Sequence, residues 1–132
     1  KKVIRVIFCS GKVYYDLLEE RRSRGLENVA IVRVEQLYPF PKAQFAAAAE
    51  RFSAADELIW CQEEPQNQGA WDQIKHRFHP LLEQGKRLYY VGRPASGAPA
   101  VGQYRVHLKQ QQRLVDEALT GRVNPNMNRR IA

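Results

Sequence analysis

The residues with the clearest chemical potential are two adjacent carboxylates, Glu63 and Glu64, in the polar stretch Gln62–Gly69. Adjacent carboxylates do not ionise together easily, so their pKa values separate, and one can serve as an acid while the other serves as a base. Neighbours in an extended strand point to opposite faces, however. We therefore favour an arrangement in which one glutamate turns inward to a hydrogen-bond partner and the other faces solvent or a partner domain.

The same stretch has the composition of a loop that faces a ligand or a partner. It contains four carboxamides, a proline and a glycine, and both tryptophans of the chain, Trp60 and Trp71, flank it. In a parallel sheet such a loop lies where the carboxyl end of a strand opens onto the ligand crevice. We expect the loop to dock on a neighbouring protein domain. Its candidate interface residues are Glu63, Glu64, Asn67 and Trp71.

A second candidate site is the tripeptide Ser10-Gly11-Lys12, which stands between an apolar strand and the start of a helix. A glycine and the free N–H groups of a helix start can cradle a phosphate, and the lysine adds charge. The tripeptide lacks the spaced glycines of a P-loop or a dinucleotide loop. Two interpretations stay open: an anion site to which Arg33 and Arg93 add charge, or a Ser10 that only caps the helix beside a solvated Lys12.

Other common catalytic and metal-binding arrangements are missing from the sequence. It has no HExxH pair, no GxSxG elbow and no Ser-His-Asp order. His76 and His79 would share a helix face without a third ligand, and Cys9 and Cys61 lack CxxC spacing. We predict buried thiols in a reducing compartment, no metal site and no catalytic residue in this chain. His107, beside a Gly/Pro-rich loop, could contact a ligand or cap a helix.

Length and charge narrow the class of protein. A chain of 132 residues is the size of one domain with one core. The net charge of +7 raises nucleic acid as a partner, but the basic residues form no dense run and are not interleaved with aromatic residues, so we predict none. The charge is uneven: residues 34–66 carry two basic and six acidic side chains, and residues 67–132 carry eleven basic and four acidic ones. Binding of a small phosphorylated ligand or of an acidic protein surface explains the positive charge as well as nucleic acid does.

Targeting signals are also missing. No apolar run approaches the roughly 20 residues of a membrane span, and the start Lys1-Lys2 shows neither a signal-peptide pattern nor an initiator methionine. We therefore expect no membrane association and a segment of a longer chain.

Hydrophobic periodicity predicts that strands alternate with helices in units of about 30 residues, which is typical of parallel βαβ crossovers. The predicted strands are Val3–Phe8, Val29–Val34, Glu57–Cys61 and Leu88–Val91. The predicted helices are Val13–Arg24, Lys42–Phe52, Trp71–Gln84, interrupted or restarted at Pro80, and Val106–Leu119. In a parallel sheet the loops after the strands lie along one edge, so both candidate sites share it. The tail Arg122–Ala132 is predicted to be disordered or to contact another domain.

Five blocks of this sequence, in this order and spacing, resemble the C-terminal domain of the E1 component of 2-oxoglutarate dehydrogenase. The blocks are Phe8–Leu17, Arg33–Pro41, Trp60–Trp71, Gly92–Ser96 and Val106–Gln112. The resemblance covers residues 3 to about 120. The 2-oxoadipate dehydrogenases are similar, but the block Leu37–Pro41 looks more like that of the 2-oxoglutarate enzymes.

The resemblance implies an α/β, three-layer sandwich of the transketolase C-terminal type. Such a domain has a mainly parallel sheet of about five strands, usually with one antiparallel edge strand, over residues 1–121, followed by a docking tail, 122–132. The whole enzyme is a homodimer that decarboxylates 2-oxoglutarate with thiamine diphosphate and magnesium. It passes the succinyl group to the lipoyl arm of E2 in the citric acid cycle. The cofactor is held by other domains, and this chain has no Gly-Asp-Gly followed by paired asparagines.

In parts of this family the same domain carries a regulatory site for acetyl-CoA or an adenine nucleotide such as AMP. The residues carried over by position are Lys12, Arg33 and Arg93, with Ser10, Gln62 and Ser96 as further candidates. One departure is that Arg93-Pro94 stands where acetyl-CoA-regulated relatives have paired arginines.

The resemblance thus predicts a non-catalytic domain that supports the E1 dimer, in the bacterial cytoplasm or, for a eukaryotic protein, in the mitochondrial matrix. The alternatives are a free-standing nucleotide-binding or adaptor module and the same domain of a 2-oxoadipate dehydrogenase.

Overall fold

The computed structural model describes residues 2–35, 39–93 and 104–128. Four strands alternate with helices along the chain. The strands are β1 (Arg5–Cys9), β2 (Val29–Arg33), β3 (Glu57–Pro65) and β4 (Arg87–Arg93). The helices are α1 (Val13–Arg24), α2 (Lys42–Arg51), α3 (Trp71–Ile74), α4 (His79–Glu83) and α5 (Tyr104–Thr120), and Lys75–Phe78 and Pro125–Met127 form 3₁₀ turns.

The sheet has the strand order β2-β1-β3-β4, and all of its neighbours pair in parallel. The order reverses between β1 and β3, where the following loops turn to opposite faces of the sheet and leave a crevice at the carboxyl ends. The predicted α/β class with a parallel sheet is confirmed. The described residues contain four strands, whereas about five were expected, and none of the four is antiparallel.

Alternation along β1 divides the core into two halves, because successive side chains of a strand point to opposite faces. Val6 and Phe8 pack with α2, α3 and α4, where Phe8 lies in an aromatic cluster with Phe45 and Phe78. Ile7 and Cys9 pack with α1 and α5 on the other face. Helices therefore cover both faces of the sheet, which gives the expected three layers.

Two predicted elements differ from the structure. The strand predicted to end at Cys61 continues to Pro65, because its polar end is held by pairing with β4. The helix predicted for Trp71–Gln84 is instead α3, a 3₁₀ turn and α4. Pro80 stands in the first turn of α4, where the missing N–H of proline costs no hydrogen bond, so it starts the final segment of this region.

The two edges of the sheet differ. At β4, the C-terminal segment returns to the sheet: Met127 is buried, and the side chain of Asn128 bonds to the backbone of Tyr90. At β2, a groove of about 670 Å³ runs between α1 and α2. The domain boundary at residue 121 stays a prediction, residues 122–128 pack on the domain, and residues 129–132 lie outside the described part.

Candidate functional site

The carboxyl end of β3 is bent by a bulge. Cys61 pairs with Val91 and Pro65 pairs with Arg93, so three residues of β3 stand opposite Gly92 alone. Only glycine fits there, because a Cβ atom on Gly92 would lie 2.5 Å from the Tyr90 hydroxyl and 2.7 Å from the carbonyl oxygen of Gln62. The bulge interrupts the regular pairing of β3 with β4 at residues 62–64 and bends the strand there.

The carboxamide of Gln62 forms the centre of the polar stretch. The residue is 2% exposed, and its Oε1 accepts hydrogen bonds from the indole Nε1 of Trp60 at 2.8 Å and the backbone N–H of Trp71 at 3.2 Å. Its Nε2 donates to the carbonyl oxygens of Glu64 and Pro65 at 3.1 and 3.0 Å. In this structure the amide therefore fastens the loop to β3, and its polar atoms are occupied by protein groups.

Trp71, expected at an interface, lies in the core of this chain. It is 3% exposed and packs against the ring of Tyr90 with centroids 5.4 Å apart. The other predicted contact residues, Glu64 and Asn67, are exposed, so the exposed tip of the loop is the part that can meet another domain. Its interface role stays a prediction.

The two glutamates have different surroundings, as expected from their alternation. Glu63 is half-buried, and desolvation raises the pKa of its carboxyl group, while the nearby charges of Lys12 and Arg93 oppose that rise. Glu64 is exposed and lines a cavity at the switch between β1 and β3. The two carboxylates therefore differ in exposure and in their neighbours, although the charge of Glu64 also contributes to the raised pKa of Glu63.

Arg93 is the buried cation of the site. It is 7% exposed, and its Nη1 donates to the carbonyl oxygen of Glu63. Its Nε donates to Gln110 at 3.0 Å, and its Nη2 donates to Gln111 at 3.2 Å and lies 3.2 Å from Nδ1 of His107. The guanidinium therefore connects β3 and β4 to α5 through neutral acceptors. Among the described residues, none of the ion pairs includes Arg93.

The first turn of α1 places Lys12 at the helix start. Gly11 has a φ of 81°, a conformation that favours glycine. Lys12 is the N-cap residue and makes no side-chain cap bond, so the interpretation in which Ser10 caps this helix is wrong. Ser10 is half-buried and Lys12 is exposed, and the positive end of a 12-residue helix lies beside them.

Arg33 lies at the end of the edge strand, away from Arg93. Its guanidinium stands over the rings of Tyr14 and Tyr15, 5.5 and 5.2 Å from their centroids, and pairs with Glu35 at 3.4 Å. Because β2 and β4 are three strand spacings of about 4.8 Å apart, Arg33 and Arg93 do not meet at one small anion.

The six residues predicted as an anion site therefore fall into separate places. Ser10 and Gln62 line a cavity of about 330 Å³ together with Glu64, Gln68 and Gln73. Lys12 and Arg93 lie near Glu63, and Arg33 stands apart. Ser96 lies outside the described residues. Their role as an anion site stays a prediction.

Sequence reasoning missed the partners of Arg93 on α5. Gln110 and Gln111 come 17 and 18 residues after it, and they were placed in the predicted helix Val106–Leu119 and in the block Val106–Gln112 without an assigned contact. Gln111 also donates from Nε2 to Asp16 on α1 at 2.9 Å, which extends the network across the helical layer. The available signal was the run of three glutamines, Gln110–Gln112, on a helix that must cover the sheet edge.

The part of the chain that the structure describes offers no donor set for magnesium diphosphate. Within residues 2–35, 39–93 and 104–128, no three histidine, cysteine or acidic residues are grouped closely enough to hold a metal ion. Without such a group, the described residues do not fit the magnesium of a thiamine diphosphate site. In the same part of the chain, no helix has the length and apolarity needed to cross a bilayer.

A family model and the similar curated proteins point to the same family. The family of 2-oxoglutarate dehydrogenase C-terminal domains matches residues 1–119. The chain is 52% identical over 120 residues to a 2-oxoglutarate dehydrogenase E1 component of Haemophilus influenzae, covering 91% of this chain and 13% of that protein. It is 50% identical over 117 residues to that of Cupriavidus necator, covering 89% and 12%.

A mitochondrial relative and a solved structure extend this result. The chain is 49% identical over 119 residues to a 2-oxoglutarate dehydrogenase-like protein of Rattus norvegicus, covering 89% of this chain and 12% of that protein. Among solved structures, an inactive β4 tetramer of a split-gene transketolase has a TM-score of 0.55 at 18% identity, covering 91% of this chain and 39% of that chain. This likeness shows the fold alone. The chain spans about an eighth of the length of the E1 components that it matches, and it belongs to the family of 2-oxoglutarate dehydrogenase C-terminal domains.

Proposed function

We propose that this chain acts as the C-terminal, non-catalytic domain of a 2-oxoglutarate dehydrogenase E1 component. The whole enzyme decarboxylates 2-oxoglutarate with thiamine diphosphate and magnesium, and it transfers the succinyl group to the lipoyl arm of E2 in the citric acid cycle. The observation that carries the proposal is the family match over residues 1–119. The use of Gln62 and Arg93 for internal hydrogen bonds supports a structural role within that enzyme.

A segment exchange tests this role. In the Haemophilus influenzae E1, which is 52% identical, the matching segment is replaced by this chain. We expect the exchanged enzyme to keep its oligomeric state and its turnover of 2-oxoglutarate, and we expect this chain alone to have no turnover. An exchanged enzyme that assembles normally but is inactive, or turnover by the chain alone, would contradict the proposal.

The open edge of β2 is the surface that we propose for docking of the rest of the E1 chain. The Val34 N–H donates to the Cys9 carbonyl at 2.7 Å, so the alternate residue Ile31 directs its backbone N–H and C=O away from β1. The groove beside it is lined by apolar residues and by Arg21, Arg33 and Arg51. An extended segment of the longer polypeptide would pair there as the fifth, antiparallel strand.

Amide hydrogen exchange tests the docking surface. We expect the Ile31 amide to exchange its hydrogen quickly in this chain alone. In the Haemophilus influenzae E1 that carries this chain as its C-terminal segment, we expect hydrogen exchange at Ile31 to be at least tenfold slower. The amide of Tyr90 is the control, because it is already bonded in the chain alone. Equal exchange at Ile31 in both proteins would show that β2 is not the docking edge.

A regulatory anion site is the second proposed function. Arg93 is a buried cation that lies outside every ion pair of the described residues, and Lys12 lies near the same carboxylate, that of Glu63. A phosphate of acetyl-CoA or AMP would supply the missing negative charge, and Ser10, Gln62, Arg33 and Ser96 are the further candidates from the family resemblance.

Isothermal titration of the chain with acetyl-CoA and with AMP tests this site. We expect saturable binding that Arg93→Ala and Lys12→Ala each weaken at least tenfold, about 1.4 kcal/mol. Arg113→Ala is the control, because Arg113 is 48% exposed on the outer part of α5. Lack of binding to the intact chain, or equal binding by all variants, would exclude the site.

Several finer points remain part of this proposal. The partners are the other E1 domains, a second E1 subunit and, through the full enzyme, E2. The compartment is the bacterial cytoplasm, or the mitochondrial matrix for a eukaryotic protein. A defined oligomer of the chain alone would favour a free-standing module, whereas the choice between 2-oxoglutarate and 2-oxoadipate would be set by the other domains of the enzyme.

A further inference from the structure

The segment Arg122–Asn128 follows the part of the chain that matches the family, and it lies against the outer edge of β4. Arg87 directs its backbone N–H to the Asp56 carbonyl at the start of β3. The alternate residue Tyr90 therefore directs its N–H and C=O away from the sheet. A strand edge with such free groups is a template for pairing with another chain.

Asn128 occupies both of these groups. Its Oδ1 accepts the Tyr90 N–H at 2.6 Å, and its Nδ2 donates to the Tyr90 carbonyl at 3.0 Å. The remaining Nδ2 proton goes to the carbonyl of Asn124 at 2.8 Å. A side-chain amide carries one acceptor group and one donor group, like a peptide unit, so Asn128 takes the place of a neighbouring strand at this point.

Neighbouring contacts hold the segment in place. Met127 is 9% exposed and belongs to the core on the α2–α4 face. Its carbonyl oxygen accepts a hydrogen bond from Nε2 of Gln66 at 3.3 Å, and the backbone N–H of Gln66 donates to the carbonyl of Arg93 at 3.0 Å. The segment is therefore connected to the polar loop as well as to the edge strand.

We propose that the segment Arg122–Asn128 closes the β4 edge of the sheet, with Asn128 as the residue that blocks pairing with another strand. The carboxamide is required because a carboxylate at this position would place a negative oxygen against the carbonyls of Tyr90 and Asn124, which offer no proton. Opening of this edge would expose a row of backbone groups on which a second copy of the chain can pair in an extended form.

The test compares the whole chain with Asn128→Asp and the milder Asn128→Ala. Gln44→Glu is the control, because it makes the same amide-to-carboxylate change on the exposed surface of α2. We expect the Tyr90 amide to exchange at least tenfold faster in both Asn128 variants, with unchanged exchange at the central β1 residue Ile7. We also expect these variants, and not the control, to self-associate in a concentration-dependent manner by sedimentation.

Each readout can overturn the proposal. Unchanged Tyr90 exchange in both Asn128 variants would show that the carboxamide does not hold the edge. Equally faster exchange at Tyr90 and Ile7 would show general destabilisation in place of local opening. Faster local exchange in a variant that stays monomeric at all concentrations would show that the edge is not a pairing surface that needs closure.

Discussion

Substitution of Gln62 by leucine tests how the polar loop is held. Leucine has a similar size but cannot accept the indole N–H of Trp60 or the backbone N–H of Trp71. Both donors would then be buried without a partner. Of the two carbonyls that lose the Gln62 donor, that of Pro65 still accepts from the Gln68 N–H at 2.9 Å. That of Glu64 lies 3.4 Å from the Tyr90 hydroxyl, whose single proton it shares with the Arg93 carbonyl at 3.0 Å.

The magnitude follows from the two orphaned donors. A buried donor left without a partner costs roughly 1–3 kcal/mol, and leucine regains part of this through its apolar surface. We therefore expect Gln62→Leu to lower the free energy of unfolding by about 3 kcal/mol, which corresponds to a melting temperature lower by roughly 10 °C for a domain of this size.

Denaturant unfolding followed by tryptophan fluorescence measures this loss, because Trp60 and Trp71 both lie at the substituted site. The matched control is Gln73→Leu, at an exposed position on the same cavity, where a change below about 0.5 kcal/mol is expected. If Gln62→Leu unfolds at the same denaturant concentration as the control, with an unchanged slope, the buried amide does not hold the loop.

Three further predictions concern the same region. Gly92→Ala should lower the free energy of unfolding by about 2 kcal/mol, because its Cβ would meet the Gln62 carbonyl at 2.7 Å; stability equal to that of the parent chain would show that the bulge adapts. Cys9 and Cys61 are fully buried, and burial raises the pKa of Cys9 to about 12. Folded chain should therefore not react with a thiol reagent at pH 8, and it should lose stability as the pH rises above about 9 because the unfolded thiols ionise first; rapid labelling of the folded chain would contradict this. Burial also raises the pKa of Glu63 in the folded chain. The stability that this raised pKa contributes is therefore fully present when the pH is below the pKa of Glu63 in the unfolded chain, and it is lost as the pH rises through the pKa of Glu63 in the folded chain. Glu63→Gln should then be more stable than the parent at pH 7 and nearly equal to it at pH 4, and a loss of stability at pH 7 would mean that Arg93 and Lys12 outweigh desolvation.

Local patterns were sufficient to predict the class of fold and most element positions. Helix α1 begins at Val13 and ends at Arg24, as predicted, because its apolar positions and the glycine that follows are local signals. Strands β1, β2 and β4 were predicted within two residues of their ends, since apolar residues fill them. The resemblance added the three-layer architecture, whereas the strand order β2-β1-β3-β4 was not predicted.

The site could not be predicted from local patterns in the same way. The residues Gln62–Pro65 look like a loop by composition, yet they form the end of β3. The reason is their pairing with β4, which is distant in sequence and passes through the bulge opposite Gly92. The contacts of Arg93 with the Glu63 carbonyl and with α5 could not be predicted either, because only the packed layers define them. Its role in anion binding stays a prediction. Asn128 has no local signal at all, since its partner Tyr90 is 38 residues away.

We propose that this domain shapes the E1 component without performing its chemistry. The most direct test of this proposal is the turnover of 2-oxoglutarate by the exchanged Haemophilus influenzae enzyme carrying Glu63→Gln and Glu64→Gln together, with Glu83→Gln on the exposed end of α4 as the control. We expect a kcat within about threefold of that of the exchanged enzyme without these substitutions, roughly 0.7 kcal/mol. A fall of at least a hundredfold in kcat, roughly 2.7 kcal/mol, with KM and oligomeric state unchanged, would contradict the proposal and make this carboxylate pair part of the catalytic machinery.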